Sequence, residues 1–314
     1  MTIWPNGKKF AFTILDDTDC STLENAPQVY EFLYKNGFRT TKSVWTFDGE
    51  VRQDNQEIVG ATCQDHNYLS WVKSLQEKGF EIASHSTTFS RSTRSQVIDG
   101  LDLFKEFFGA FPKVLAQHND TVDNESIYWG PKRISGIARI VYKLIHLLKG
   151  EKRNIYFGEI EKSEYFWGDI CKDRIKYVRN FVYADINTLK ACPYMPYHDS
   201  KRPYVNYWFA STEAPDVRSF IKVLSEGNQN KLLREEGACI VYTHFGKDFI
   251  LNRKLNHAFC EVMESIAGKD GWFVPVGDLL DYILQYKAHG EILKWQRSSL
   301  EWKWMIHKLS VGTS

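Results

Sequence analysis

The stretch Phe12-Thr13-Ile14-Leu15-Asp16-Asp17-Thr18-Asp19 decides how this chain is read. An apolar run beginning at Phe10 stops at two adjacent acids, and a third follows two residues on. Apolar runs this short, bounded by polar residues, are buried strands. Acids at the C-terminal end of a buried strand, with a helix to follow, stand where open α/β sheets and α/β barrels gather their active sites. Three carboxylates this close repel one another, and a divalent cation is the economical way to hold them. Capping of the next helix accounts for one acid, Asp16 or Asp19, and not for three.

Beyond this strand the same unit recurs. The pattern predicts a helix over 24–36 closed by Gly37, a strand over 40–47, and a helix over 67–78 closed by Gly79. A strand over 80–84 then delivers His85. A helix over 96–108 is broken by Pro112, and a strand over 113–116 delivers Gln117, His118, Asn119 and Asp120. Strand, polar residues, helix in repetition implies parallel strands with right-handed crossovers. Each strand end carries an ionisable or amide group.

The second half is less regular. The segment 134–148 reads as an amphipathic helix, with Ile134, Ile137, Val141, Leu144, Ile145 and Leu148 on one face and Arg139, Lys143 and His146 opposite. A strand over 181–184 delivers Asp185. The Pro-, Tyr- and Trp-rich stretch 192–215 is expected to be a long ordered loop that shapes a cleft, an aromatic insertion around 190–215. Helices over 214–226 and 228–236 lead to a strand over 239–243 that delivers His244. A helix over 251–267, a strand over 272–274 and a helix over 277–286 complete a domain spanning 1–288. An amphipathic helix fills 289–314, with Ile292, Trp295, Trp302, Ile306 and Leu309 in one stripe.

A chain of 314 residues is a common size for a single α/β barrel. Forty basic against thirty-nine acidic residues leave a formal charge of +1, which offers no electrostatic case for nucleic acid or an acidic partner. The six cysteines never form C-x-x-C, as expected of small buried residues in a reducing compartment. With no leader-like amino terminus and no run of eighteen apolar residues, the expectation is a soluble cytoplasmic protein. The two amphipathic helices pack on the barrel or a second subunit first of all, with peripheral membrane contact as the other use of such faces. There is no G-x-S-x-G elbow, no phosphate-binding G-x-x-x-x-G-K-[ST] and no H-E-x-x-H.

The order and spacing of these strand ends, over roughly 8–286, resemble the polysaccharide deacetylase (NodB-homology, carbohydrate esterase family 4-like) superfamily. Its T-F-D-D-G motif is matched by Ile14-Leu15-Asp16-Asp17-Thr18. Its H-[ST]-x-x-H motif after a G-x-E-I strand is matched by Gly79-Phe80-Glu81-Ile82 and His85-Ser86-Thr87-Thr88-Phe89. Its late strand ending in a catalytic histidine is matched by Ile240-Val241-Tyr242-Thr243-His244, and its closing strand and helix by the run from Phe273 to Leu280. The resemblance implies a distorted (β/α) barrel of the deacetylase type, seven-stranded, and metal-assisted amide hydrolysis. The departures are as informative. Phe89 stands where the second metal-binding histidine belongs, Thr18 replaces a glycine, and Gln117-His118-Asn119-Asp120 occupies the place of an arginine-bearing motif. The metal site is either rebuilt or lost.

Carried over residue by residue, the resemblance makes Asp16 the base, Asp17 and His85 metal ligands, and His244 the acid that protonates the departing amine. A catalytic metal needs about three protein ligands. His118, ending the neighbouring strand, is the candidate third ligand, ahead of His66 and Asp19. The metal is zinc first, with cobalt, manganese or nickel as alternatives. Asp185 is placed to orient His244, and Asn119, Trp129, Tyr197 and Trp208 are candidate walls for a sugar. Two readings stay open: a deacetylase acting on an N-acetylated sugar or glycan precursor, and an inactive, metal-free barrel that binds carbohydrate.

Overall fold

In the computed structural model, residues 4–53, 55–117, 124–148, 155–286 and 291–311 are described. The first strand, β1 (Phe10–Asp16), is buried along its whole length, as its apolar run requires. Next come β2 (Thr41–Val44), β3 (Glu81–Ser84), β4 (Val114–Leu115), β5 (Tyr177–Tyr183), β6 (Tyr207–Glu213) and β7 (Ala238–Thr243). They pair in sequence order, all parallel, and β7 returns to β1 from Ala11↔Ala238 to Asp16↔Thr243. That last ladder closes a seven-stranded barrel, as the resemblance implied.

The barrel is distorted at one seam. Strand β1 meets β2 only at Leu15 and Asp16. After a short hairpin, β8 (Ile250–Leu251) with β9 (Lys254–Leu255), the strand β10 (Gly271–Phe273) wedges beside the lower half of β1, Phe10 to Phe12. Strand β6 corrects the reading of 192–215 as one long loop. Its strand-forming aromatic run, Tyr207-Trp208-Phe209, is present, but the Pro-rich approach conceals where the strand begins.

Helices α1 (Ala26–Lys35), α2 (His66–Glu77) and α3 (Arg94–Phe108) follow the first three strands. Between β4 and β5 stand α4 (Gly136–Leu148) and α5 (Gly168–Arg174), and α6 (Thr188–Ala191) follows β5. Then come α7 (Val217–Val223), α8 (Glu226–Arg234), α9 (His257–Ala267), α10 (Val276–Tyr286) and α11 (Lys294–Val311). The caps are local and strong. Asp65 accepts from the Asn67 and Tyr68 amides to start α2, while Thr93 and Gln96 form a capping box on α3. Each such cap contributes about 1 kcal/mol.

Strand parity sets what faces where. Phe10, Phe12 and Ile14 pack with Ala26, Val29, Tyr30 and Leu33 of α1, whereas Ala11 and Leu15 belong to a second cluster with Ala83, Ile240 and Tyr242. Side chains of even number on β1 therefore meet the helix layer, and those of odd number look into the barrel. At the N-terminal mouth, α10 acts as a plug. The Val276 amide donates to Thr41 Oγ1, the Gly277 amide to Glu81, and Asp281 accepts from Lys113, Lys176 and Tyr177. Helix α11 lies against β5, where the Tyr183 hydroxyl donates to the Leu300 carbonyl at 3.2 Å.

Candidate functional site

The C-terminal mouth of the barrel brings the strand-end groups together. Asp17 and Asp19 follow β1, His85 follows β3, and His244 follows β7, all at most 9% exposed. Asp19 is the centre. Its Oδ2 lies 3.2 Å from His85 Nε2 and 3.2 Å from His244 Nε2. Burial alone would raise the Asp19 pKa, but the charge and hydrogen bond of His244, with His85, hold it well below the usual carboxylate range. The sequence ranked Asp19 as a spare ligand.

Asp17 is held differently. Arg179, from the third position of β5, donates to both its oxygens, Nη1 to Oδ1 at 3.0 Å and Nη2 to Oδ2 at 2.6 Å. The guanidinium also sits 4.7 Å above the Tyr242 ring. Desolvation pushes the Asp17 carboxyl up, and Arg179, His85 and His244 together outweigh it, so its pKa is lowered. Arg179 was not anticipated, because the strand was expected only from residue 181. An arginine beside Asn180 in the otherwise apolar and aromatic run 177–183 is the signal the sequence carries.

Asp16 does not join this group. It follows the even parity of β1 toward α1. Its Oδ2 accepts from the Tyr30 hydroxyl at 2.9 Å and pairs with Lys42 Nζ at 3.2 Å, and its Oδ1 accepts from the Phe245 amide at 2.9 Å. Both Asp16 and Lys42 are fully buried. Burial would strip the proton from Lys42, and Asp16 keeps it on, above the ordinary lysine value. This is a buried ion pair at the β1–β2 seam, and both Asp16 oxygens are already engaged there.

His244 has its own anchor. Its Nδ1 meets the Pro215 carbonyl at 2.6 Å, so Nδ1 carries a proton and Nε2 faces Asp19. Burial lowers the His244 pKa and Asp19 more than offsets this, leaving it raised. The orienting role expected of Asp185 is not its role: that carboxylate accepts from Lys231 at 2.8 and 2.9 Å and from the Asn187 amide. A backbone carbonyl does the orienting instead.

The remaining candidates are placed elsewhere. Tyr197 and Trp208 are corrected from sugar platforms to core. They are buried, bridged to each other through backbone hydrogen bonds at the start of β6, at the barrel end away from the acids. Trp129 is buried under the Arg133 guanidinium, 3.1 Å from the ring centroid. His66 is exposed at the start of α2. His118 and Asn119 lie outside the described residues. Phe89, in the position of the missing histidine, is buried edge-on against Trp45, whose ring lies 5.6 Å from His85.

Among the described residues, Asp17, Asp19 and His85 each offer a ligand atom within 4.8 Å of the others, and all three are buried. Two carboxylates and an imidazole are a donor set that suits a divalent transition metal.

The architecture has solved counterparts. A protein from Mycobacterium smegmatis assigned as a polysaccharide deacetylase superposes with a TM-score of 0.54, over 93% of this chain and 96% of its own, at 11% identity. The fold is that of the polysaccharide deacetylases. PuuE allantoinase shares this deacetylase-type barrel, with a TM-score of 0.50 over 91% of this chain and 94% of its own, at 10% identity. No protein-family model matches the sequence, and no curated protein is detectably similar to it. At such identities the likeness reaches the barrel and stops short of the chemistry.

Proposed function

We propose that this protein is a metal-dependent hydrolase that removes an acyl group, an N-acetyl group first of all, from a sugar or glycan precursor. The observation that carries the reading is Asp19 between two imidazoles, beside an Asp17 clamped by Arg179, at the mouth where α/β barrels keep their active sites. Asp17, Asp19 and His85 are the residues that would hold the metal. Bound there, a divalent ion, zinc first, polarises a carbonyl and acidifies water.

The chain's own residues supply the rest. Arg179 uses one lone pair on each Asp17 oxygen and leaves others for a cation and for the proton of an attacking water. Asp17 thus takes the proton-accepting role that the resemblance assigned to Asp16, which is committed to Lys42 and Tyr30. His244, fixed at Nδ1 by Pro215 and with its pKa raised beside Asp19, presents Nε2–H as the acid for a departing amine.

A second reading has its own observation. Both imidazoles lie within hydrogen-bonding distance of Asp19, and Arg179 satisfies Asp17, so the acids can be neutralised without a cation. A metal-free barrel that binds carbohydrate would look like this. Metal content of the purified protein, with acetate release from a panel of N-acetylated sugars, separates the two. About one metal per chain and release abolished by Asp19→Ala support the hydrolase. No metal, and no release that depends on Asp19, sinks it.

A further inference from the structure

We propose that α4 lays this protein on an anionic lipid surface, with a phosphate-bearing headgroup in a cationic cavity at the base of that helix. The inference stands apart from the hydrolase reading and uses none of its residues. It begins with an apolar face turned to water. Ile137, Ile140, Leu144, Leu147 and Leu148 are 54–87% exposed, spaced at i, i+3, i+7, i+10 and i+11. Monomeric proteins rarely present a contiguous apolar patch beyond a few hundred Å² unless something covers it.

The other sides of α4 are accounted for. Ala138 is buried, and Tyr142 stacks toward Trp304 of α11 with centroids 5.8 Å apart. Lys143 is exposed beside the aliphatic stripe, with Arg139 and His146 further round. An aliphatic stripe outward, a basic flank and a seated back are the parts of a helix that lies in a membrane interface plane. No helix among the described residues is long and apolar enough to cross a membrane, which fits lying on the surface.

The second observation is the cavity, about 450 Å³, where α4 begins. Lys132, Arg139, Lys201, Arg202 and Arg297 line it against one acid, Glu159. Arg202 and Arg297 are buried and ion-paired. Arg297 pairs with Asp199 at 2.7 Å, and Arg202 pairs with Asp199 at 3.0 Å and with Glu301 at 3.2 Å. Lys132 pairs with Glu159 at 2.8 Å. Arg139 and Lys201 make no ion pair among the described residues, which leaves two cations for an incoming anion. Arg139 belongs to both features. An anionic lipid offers at once a phosphate for the cavity and acyl chains for the stripe, and a second copy of this near-neutral chain offers no such pairing.

Co-sedimentation of the full chain with vesicles tests this. We expect binding to phosphatidylglycerol–phosphatidylcholine vesicles and little to phosphatidylcholine alone. The pair Leu144→Ser/Leu147→Ser weakens binding by about tenfold or more, and Arg139→Gln removes the preference for the anionic lipid. Unchanged melting of these surface variants shows that they fold. Three results overturn the proposal: no vesicle binding by the wild type, binding unaffected by the serine pair, or a dimer in light scattering that the serine pair dissolves. Binding of inorganic phosphate that Arg139→Gln removes, without vesicle binding, would make the cavity a free-anion site and overturn it as well.

Discussion

Replacing Arg179 with Met tests the barrel-spanning clamp most directly. The guanidinium gives Asp17 two charge-assisted hydrogen bonds at 2.6 and 3.0 Å, and both partners are at most 5% exposed. Removing one member of a buried pair leaves a buried charge uncompensated and costs about 3–5 kcal/mol. At roughly 2 °C per kcal/mol for a large chain, the melting temperature falls by about 6–10 °C near neutral pH. The pH dependence gives the sharper check. In the wild type the Asp17 pKa lies below its unfolded value. Its contribution is therefore complete above the unfolded value, about pH 4, and fades as pH falls through the lower folded value. In the variant, burial acts without Arg179, so the folded pKa moves up. The penalty is then largest at neutral pH and shrinks as acid protonates Asp17. Melting curves between pH 5 and 8 should accordingly converge toward the acid end. Adding Asp17→Asn to Arg179→Met should restore much of the loss, since no orphaned charge remains. A loss independent of pH, with no recovery in the double variant, would refute the argument that Arg179 acts by compensating Asp17.

Four further outcomes follow from the same geometry. Asp16→Asn should lower the melting temperature by several degrees through its buried Lys42 while leaving turnover within a few-fold, and abolished turnover with unchanged melting would return the base role to Asp16. His244→Gln should slow release of a poor amine leaving group by ~10²-fold or more and hardly affect an activated acetyl ester, as measured by comparing the two substrates. Because the His244 pKa is raised in the fold, its stabilisation is full below about pH 6.5 and is lost as pH rises through the folded value; stability curves of wild type and His244→Gln should therefore close up on the alkaline side. Chelation should remove metal and activity together, with Asp19→Ala matching the chelated protein, as read by metal analysis and acetate release.

Much of the barrel is legible in the sequence. The apolar run of β1, the helices closed by Gly37 and Gly79, and the strands ending at His85 and His244 are local patterns, and local sterics and burial enforce them. Parallel order followed from the alternation of strand and helix. The ends of β1, β3 and β7 duly supply Asp17, His85 and His244 to one mouth. The Pro- and Tyr-rich approach to β6 hid a strand whose place depends on β5 and β7 rather than on its own neighbours in the chain.

What tertiary structure alone decided is which acid does what. Asp16 and Asp17 are adjacent and chemically alike. The packing of Phe10, Phe12 and Ile14 on α1 turns the even parity outward, so one acid goes to Lys42 and the other to the barrel mouth. Arg179 reaches Asp17 across 162 residues of chain, and Pro215 rather than Asp185 orients His244. Propensity and pattern act over a few residues, and they determine strands, helices and the ends where charges fall. Partners for those charges are chosen only when β7 closes on β1 and buries them, because an ion in the interior needs whichever counter-charge the closed barrel brings within reach.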